Sequence, residues 1–173
     1  MNVATRMKYI LSLGLIILIA LIGAACSQRE SGEQVDQVTG YITDIQDQEI
    51  LLSAGPDGQP PMWFSNVPSS LEVGQKVTVI PDARAPVSLE MPSHLMAKKV
   101  NVIAQASDLP AKLTEQEAVQ QAIRDVGFPY YAIDELTYSS ADATWYVRVR
   151  EWVNEVFNSE HDEAVKTIVV QDR

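Results

Sequence analysis

The sequence predicts an α+β protein: a small all-β barrel followed by an α-β-β-β layer. Three patterns carry this. Residues 38–103 hold five short runs of strand-forming residues with turn residues between them. A single strongly patterned helix follows, opening on the capping box Thr114-Glu115-Gln116-Glu117. From residue 133 the alternation returns to period two, the period of a strand with one face buried.

The first strand is read at residues 38–45 (VTGYITDI), with Gly40 marking a bulge or a point of close approach. Gln46-Asp47 turns the chain into residues 49–53 (EILLS). Residues 54–61 carry two glycines and three prolines, which keeps them out of any strand interior. Met62-Trp63-Phe64-Ser65 is the third strand. Leu71-Glu72-Val73-Gly74-Gln75 turns into residues 76–80, where Val77 and Val79 share a face. Residues 81–97, with Pro81, Pro86 and Pro92, read as a long excursion. The last barrel strand is read at residues 98–103, with Val100 and Val102 inward and Lys99 and Asn101 outward. Closure is how a small antiparallel sheet disposes of its edges, so these five strands predict a closed or nearly closed barrel. An OB-like arrangement is the first choice and an SH3-like one the second.

Residues 106–112 (ASDLPAK) break the strand pattern and are read as a linker between a domain at 36–105 and another at 113–173. In the helix, Thr114 accepts from the backbone of Glu117 while Glu117 reaches back to the amide of Thr114. Ala118, Val119, Ala122, Ile123 and Val126 form one apolar stripe, and Gly127 followed by Pro129 ends the helix. Three strands are predicted after it, at residues 133–138, 144–153 and 164–170. In the middle one Trp145, Val147 and Val149 face one way, and Tyr146, Arg148 and Arg150 the other. The helix is expected to cover one side of this antiparallel sheet.

The N-terminal residues have a different character. Arg6 and Lys8 precede an almost unbroken apolar run at residues 9–22, and Gly23-Ala24-Ala25 leads into Cys26, the only cysteine. Residues 1–25 therefore read as a secretory signal with small residues at the cut site. A cysteine directly after such residues resembles the lipobox of bacterial lipoproteins. That resemblance implies a diacylated (palmitate-type) Cys26 at the mature N-terminus, anchoring the protein at the outer face of the cytoplasmic membrane. Residues 9–28 carry no charge, and about twenty apolar residues span a bilayer, so an uncleaved single span is the alternative. In both cases Arg6 and Lys8 stay inside and the body lies outside. Residues 26–35 are polar and read as a flexible tether, reaching at most roughly 33–36 Å when extended.

Composition narrows the partners. The net charge is −10, and it becomes −12 once residues 1–25 take Arg6 and Lys8 with them. Charge of this sign opposes binding to nucleic acid and to anionic lipid surfaces. A single cysteine permits no disulfide within the chain, so packed cores must supply the stability. Residues 26–173 are enough for one domain or two small ones.

Two further resemblances attach to particular residues. Gly40-Tyr41-Ile42, Ile50-Leu51-Leu52, Trp63-Phe64-Ser65, Val73-Gly74-Gln75-Lys76-Val77 and Lys98-Lys99-Val100 resemble a domain of unknown function. That domain occurs in small exported lipoproteins of low-GC Gram-positive bacteria. Leu113-Thr114-Glu115-Gln116-Glu117-Ala118, with Trp145-Tyr146-Val147-Arg148-Val149, is similar to a PepSY-type domain. This second resemblance implies partner binding or inhibition at the cell envelope.

The search for chemistry finds no catalytic, cofactor or metal motif. Only His94 and His161 offer an imidazole, and neither lies in a nucleophile-elbow context. His94 is read as a solvated residue of a Pro-flanked loop. Two acidic clusters, Glu160-His161-Asp162-Glu163 and Asp44 with Asp47 and Glu49, lack the spacing of a calcium loop. The aromatics of residues 60–64 suit stacking on sugar or peptide, although aromatics in a strand of a small barrel are more often core. The candidate partner surface is Tyr146, Arg148 and Arg150, where two guanidinium groups flank an aromatic; the loop at residues 91–95 is the alternative. The expected function is a non-enzymatic binding or regulatory module with an envelope protein or peptide partner. An envelope hydrolase with an unrecognised carboxylate site, and a structural or stress-related envelope component, are the competing readings.

Substituting Cys26→Ala is expected to release the protein from the membrane or to leave an unprocessed precursor. Metabolic acyl labelling checks this, and unlabelled wild type with an intact N-terminus would refute it.

Overall fold

In the computed structural model, residues 37–54, 59–88, 90–104, 108–152 and 164–173 are described. Cys26, the tether, His161 and the acidic run at residues 160–163 lie outside them. Strand pairing begins with a hairpin, β1 (Val38–Gln46) and β2 (Glu49–Ala54), turned by Asp47 and Gln48 at φ of 47° and 67°. Two consecutive left-handed residues give the turn whose twist matches that of the flanking strands. β3 (Met62–Ser65) runs antiparallel to β2, and β4 (Lys76–Pro81) antiparallel to β1. β5 (Ser93–Val102) joins antiparallel to β4 and parallel to β3. The order β1-β2-β3-β5-β4 returns to β1 and closes the barrel, so each strand has a neighbour on both sides. Val38, Ile42, Ile50, Leu52, Phe64, Leu71, Val77, Val79 and Ala97 fill it.

Several expectations need correction. β5 starts at Ser93, five residues before the predicted start, because residues 93–96 pair with β3 in parallel. That partner is some thirty residues away, and Ser93-His94-Leu95-Met96 has no clean alternation to announce it. His94 therefore lies in a strand and not in a loop. Val100 packs on the barrel core, but Val102, the last residue of β5, is 55% exposed. Gly40 is regularly paired on both sides, and the irregularity in β1 falls between Ile42 and Asp44.

The second layer opens with α1 (Glu115–Ile123). Both halves of the capping box are present: Glu117 N donates to Thr114 Oγ1 at 3.2 Å, and Thr114 N to Glu117 Oε2 at 2.8 Å. Ala118, Val119, Ala122 and Val126 are buried as the stripe predicts, and Gly127 takes φ of 76° just past the helix. β6 (Tyr131–Ser139), β7 (Thr144–Glu151) and β8 (Val165–Gln171) follow as an antiparallel sheet in that order. The helix packs on Ile133, Trp145, Val147, Val149, Ile168 and Val170. The fold is thus mostly β, with one short helix among the described residues and a closed five-stranded barrel. No helix among these residues is long and apolar enough to cross a membrane.

Val35–Arg173 forms one compact unit, although its two cores are separate. Polar and backbone contacts join them. Gly74, in the turn before β4, has φ of 86°, and a Cβ built on it would lie 2.5 Å from the carbonyl oxygen of Gln116. The side-chain amides of Gln116 and Gln120 donate to Glu72 Oε2 at 2.9 Å and to the carbonyl of Val73 at 2.8 Å. Ser53, buried in β2, donates to the carbonyl of Tyr131 at 2.6 Å and accepts from the amide of Ile133 at 3.2 Å. Tyr41 leaves the barrel to join the helix–sheet core. At the far end Asp172 accepts from the amides of Leu113 and Lys112 and from the Tyr138 hydroxyl, fastening the start of α1 to the C-terminus.

Gly74→Ala combines left-handed backbone strain with a backbone overlap, so it should cost at least about 2 kcal/mol. A fall in the urea midpoint at unchanged slope is the expected result.

The amides of Leu113 and Lys112, with the Tyr138 hydroxyl, hold the Asp172 carboxyl below the usual carboxylate range. A carboxyl whose pKa falls on folding stabilises the native state above its unfolded value of about 3.9, and that stabilisation fades as pH drops through the folded value. Thermal melts on acidification below about pH 4 should therefore fall more steeply for wild type than for Asp172→Asn.

Candidate functional site

Where β1 and β6 face each other across the junction, the surface opens into a cleft of about 600 Å³. Thr39, Gly40 and Tyr41 line it from β1, Lys76 from the start of β4, and Glu115 from the first turn of α1. Six consecutive residues of β6, Ile133 to Tyr138, form the opposite wall, with Trp145 behind and Leu109 at the rim. The volume lies in the range of small-molecule and peptide pockets.

The barrel side is polar. Tyr41 donates its hydroxyl to the Glu115 carboxylate. Burial pushes the Tyr41 phenol far above its ordinary pKa, and the neighbouring carboxylate adds to the effect. Lys76 Nζ lies 5.2 Å from the centre of the Tyr41 ring, within cation–π range. On the sheet side Asp134 is held by Arg150, with Nη2 to Oδ1 at 3.1 Å and Nε to Oδ2 at 3.2 Å. Glu135 is exposed beside it. The remaining wall is apolar, with the Tyr138 ring tilted 50° against Trp145 at 5.1 Å between centres. Trp145 Nε1 is buried without a hydrogen-bond partner, an uncommon state for a buried donor. Tyr131, next to the cleft on β6, has its phenol pushed up to about 12 by burial.

The residues singled out from the sequence lie elsewhere. Tyr146, Arg148 and Arg150 share the outward face of β7, as their alternation implies. Only Arg148 of the two arginines is exposed, since Arg150 leans to Asp134. Arg148 stands between Glu135 of β6 and Thr167 of β8, with Val165 and Val169 exposed alongside. The alternative loop is divided: Met91 is exposed, while Ser93, His94 and Leu95 belong to β5. His94 Nδ1 lies 3.0 Å from Glu49 Oε2, and its ring stacks on Trp63 at 6.1 Å between centres. Phe64 is fully buried in the barrel and Trp63 only partly, so the aromatic run serves both core and surface. Asp44 accepts from Ile45 N and Gln46 Nε2 within its own hairpin. Among the described residues no three His, Cys, Asp or Glu side chains converge in a way that could hold a metal ion.

Sequence reading missed the cleft. Tyr41 and Glu115 are 74 residues apart, and Ser53 and Tyr131 are 78 apart, so no local pattern connects them. Comparison with protein-family models, with curated proteins and with solved structures returns no match to this chain.

Proposed function

We propose that the protein is a membrane-anchored extracytoplasmic lipoprotein that acts as a non-enzymatic binding module of the cell envelope, and that it binds in the cleft between β1 and β6. The cleft carries the binding half of this reading: the sheet wall joins Asp134 and Glu135 to an apolar, aromatic stretch, and the other side presents Lys76, Glu115 and Tyr41. The anchor half rests on the apolar run ending in Gly23-Ala24-Ala25-Cys26. The order β1-β2-β3-β5-β4 with β3 and β5 parallel supports an OB-like reading of the barrel, a fold that presents surfaces for ligands. A helix followed by three antiparallel strands supports a PepSY-like reading of the second layer and hence the α+β class. A net charge of −10 on the whole chain favours protein or peptide partners over nucleic acid.

One observation favours an envelope hydrolase as the second reading. Two partly buried acids, Glu115 and Asp134, line the same cleft. Paired acids in a cleft are the usual material of general acid–base catalysis. Each of them here is already hydrogen-bonded, to Tyr41 and to Arg150 respectively, which suits a structural role.

Photo-crosslinkers placed at Leu109 on the rim of the cleft and at Arg148 on the outer face, in the full chain in native envelopes, separate the surfaces. Capture from position 109 is expected. Capture from 148 alone would move the site to the outer face of β7, and turnover of a peptide or glycan abolished by Glu115→Gln and Asp134→Asn would replace binding with hydrolysis.

A further inference from the structure

We infer that the cleft receives an extended basic peptide segment as an added strand on the open edge of β6. The inference rests on the reading of the cleft as the binding site and names its occupant.

The alternation of backbone groups along β6 can be followed bond by bond. In an antiparallel ladder, successive residues either exchange bonds with the partner strand or turn their N–H and C=O away from it. The amide of Trp152 donates to the carbonyl of Tyr130 at 3.0 Å, so residues 130 and 152 form a bonded pair. Tyr131 and Ile133 turn the other way, and Ser53 of the barrel takes the carbonyl of one and the amide of the other. On β7 the odd-numbered residues bond to β8, as the bond from Glu151 N to the carbonyl of Ala164 requires. Arg150, Arg148, Tyr146 and Thr144 therefore face β6. Beyond the bulge between Ile133 and Glu135, their partners are Glu135, Thr137 and Ser139. The backbone groups of Leu136 and Tyr138 are left pointing off the sheet, along the stretch that lines the cleft.

Sheet edges are ordinarily blocked by a bulge, a proline, a charge or a covering element. The first half of β6 is blocked by its bulge and by Ser53. The second half has no strand on that side, since β6 pairs only with β7 among the described residues. The open stretch, Glu135 to Ser139, spans roughly 13–17 Å at about 3.3 Å per residue, long enough for a short added strand. In strand addition the main chain supplies affinity and alternate side-chain pockets supply selectivity.

Charge selects the occupant. Among the described residues Glu115, Asp134 and Glu135 line the cleft with Lys76 as the one lining cation, and Arg150 pairs with Asp134. The remaining excess is negative and so is the chain as a whole, which favours a basic segment and opposes edge-to-edge pairing of two copies. Leu109, Leu136, Tyr138 and Trp145 offer the apolar contacts. The occupant therefore alternates apolar with basic residues.

The test uses the full chain in detergent with four capped hexapeptides: alternating valine and lysine, alternating valine and glutamate, and two valine–lysine peptides N-methylated on every second amide, one in each phase. The valine–lysine peptide should bind at least about tenfold more tightly than the glutamate one. It should slow amide hydrogen exchange at Leu136 and Tyr138, and one phase of N-methylation should abolish binding while the other spares it. Leu136→Pro removes one outward amide without touching the bonds of Glu135 and Thr137, and it should weaken binding by about tenfold or more. If that variant does not fold, the exchange data on wild type decide. Absence of binding by all the peptides, equal binding of the lysine and glutamate peptides, binding without slowed exchange at the two amides, or self-association of the chain through β6 would each overturn strand addition. Envelope capture at position 109 alongside any of these would leave the cleft as a binding site and remove only its occupant.

Discussion

The relation between barrel and sheet depends on a close backbone approach at Gly74, where no side chain could fit. The carbonyl of Gln116 occupies the space a Cβ would need, and the left-handed φ of Gly74 turns the chain away in time to start β4. Because the helix is seated by backbone and by the amides of Gln116 and Gln120, its position is set by geometry as well as by burial. Seating α1 there carries Glu115 to the hydroxyl of Tyr41, and Tyr41 in turn becomes part of the helix–sheet core. The cleft lies beside that seat, with Glu115 and Tyr41 in its lining.

Ser53 and Asp172 perform a related task with side chains. A buried Ser hydroxyl can donate once and accept as well, and Ser53 uses both capacities on β6 backbone groups that would otherwise be orphaned against the barrel. Leaving such groups unmet costs about 1–3 kcal/mol each, so one small residue determines where the edge of β6 is closed and where it opens. Asp172 gathers the first amides before α1 at the other end of the layer. Both are short side chains with few rotamers, and little entropy is lost in ordering them.

The charge of the cleft follows from the same economy of partners. Arg150 and Asp134 satisfy each other bidentately, so the strand face that looked from sequence like a double-arginine surface exposes only Arg148. The bulge at Asp134 brings this about, because an extra residue in β6 turns one acid toward the guanidinium and leaves Glu135 outward. Bulges are invisible to a period-two reading, and for that reason the role of Arg150 was not legible while its facing was.

The sequence by itself determined the local elements. The first four barrel strands, the helix with its capping box, the glycine that ends it, and the inward set Trp145, Val147 and Val149 all stand where the pattern placed them. These features depend on neighbours a few residues away, through periodicity and capping, so they can be read along the chain. Tertiary structure alone decided the closure order, the parallel pairing that pulls Ser93–Met96 into β5, and the meeting of Tyr41 with Glu115. Each of these joins residues roughly thirty to eighty positions apart. Such pairs leave no periodic trace, because the energy that selects them is the satisfaction of backbone and polar groups in three dimensions.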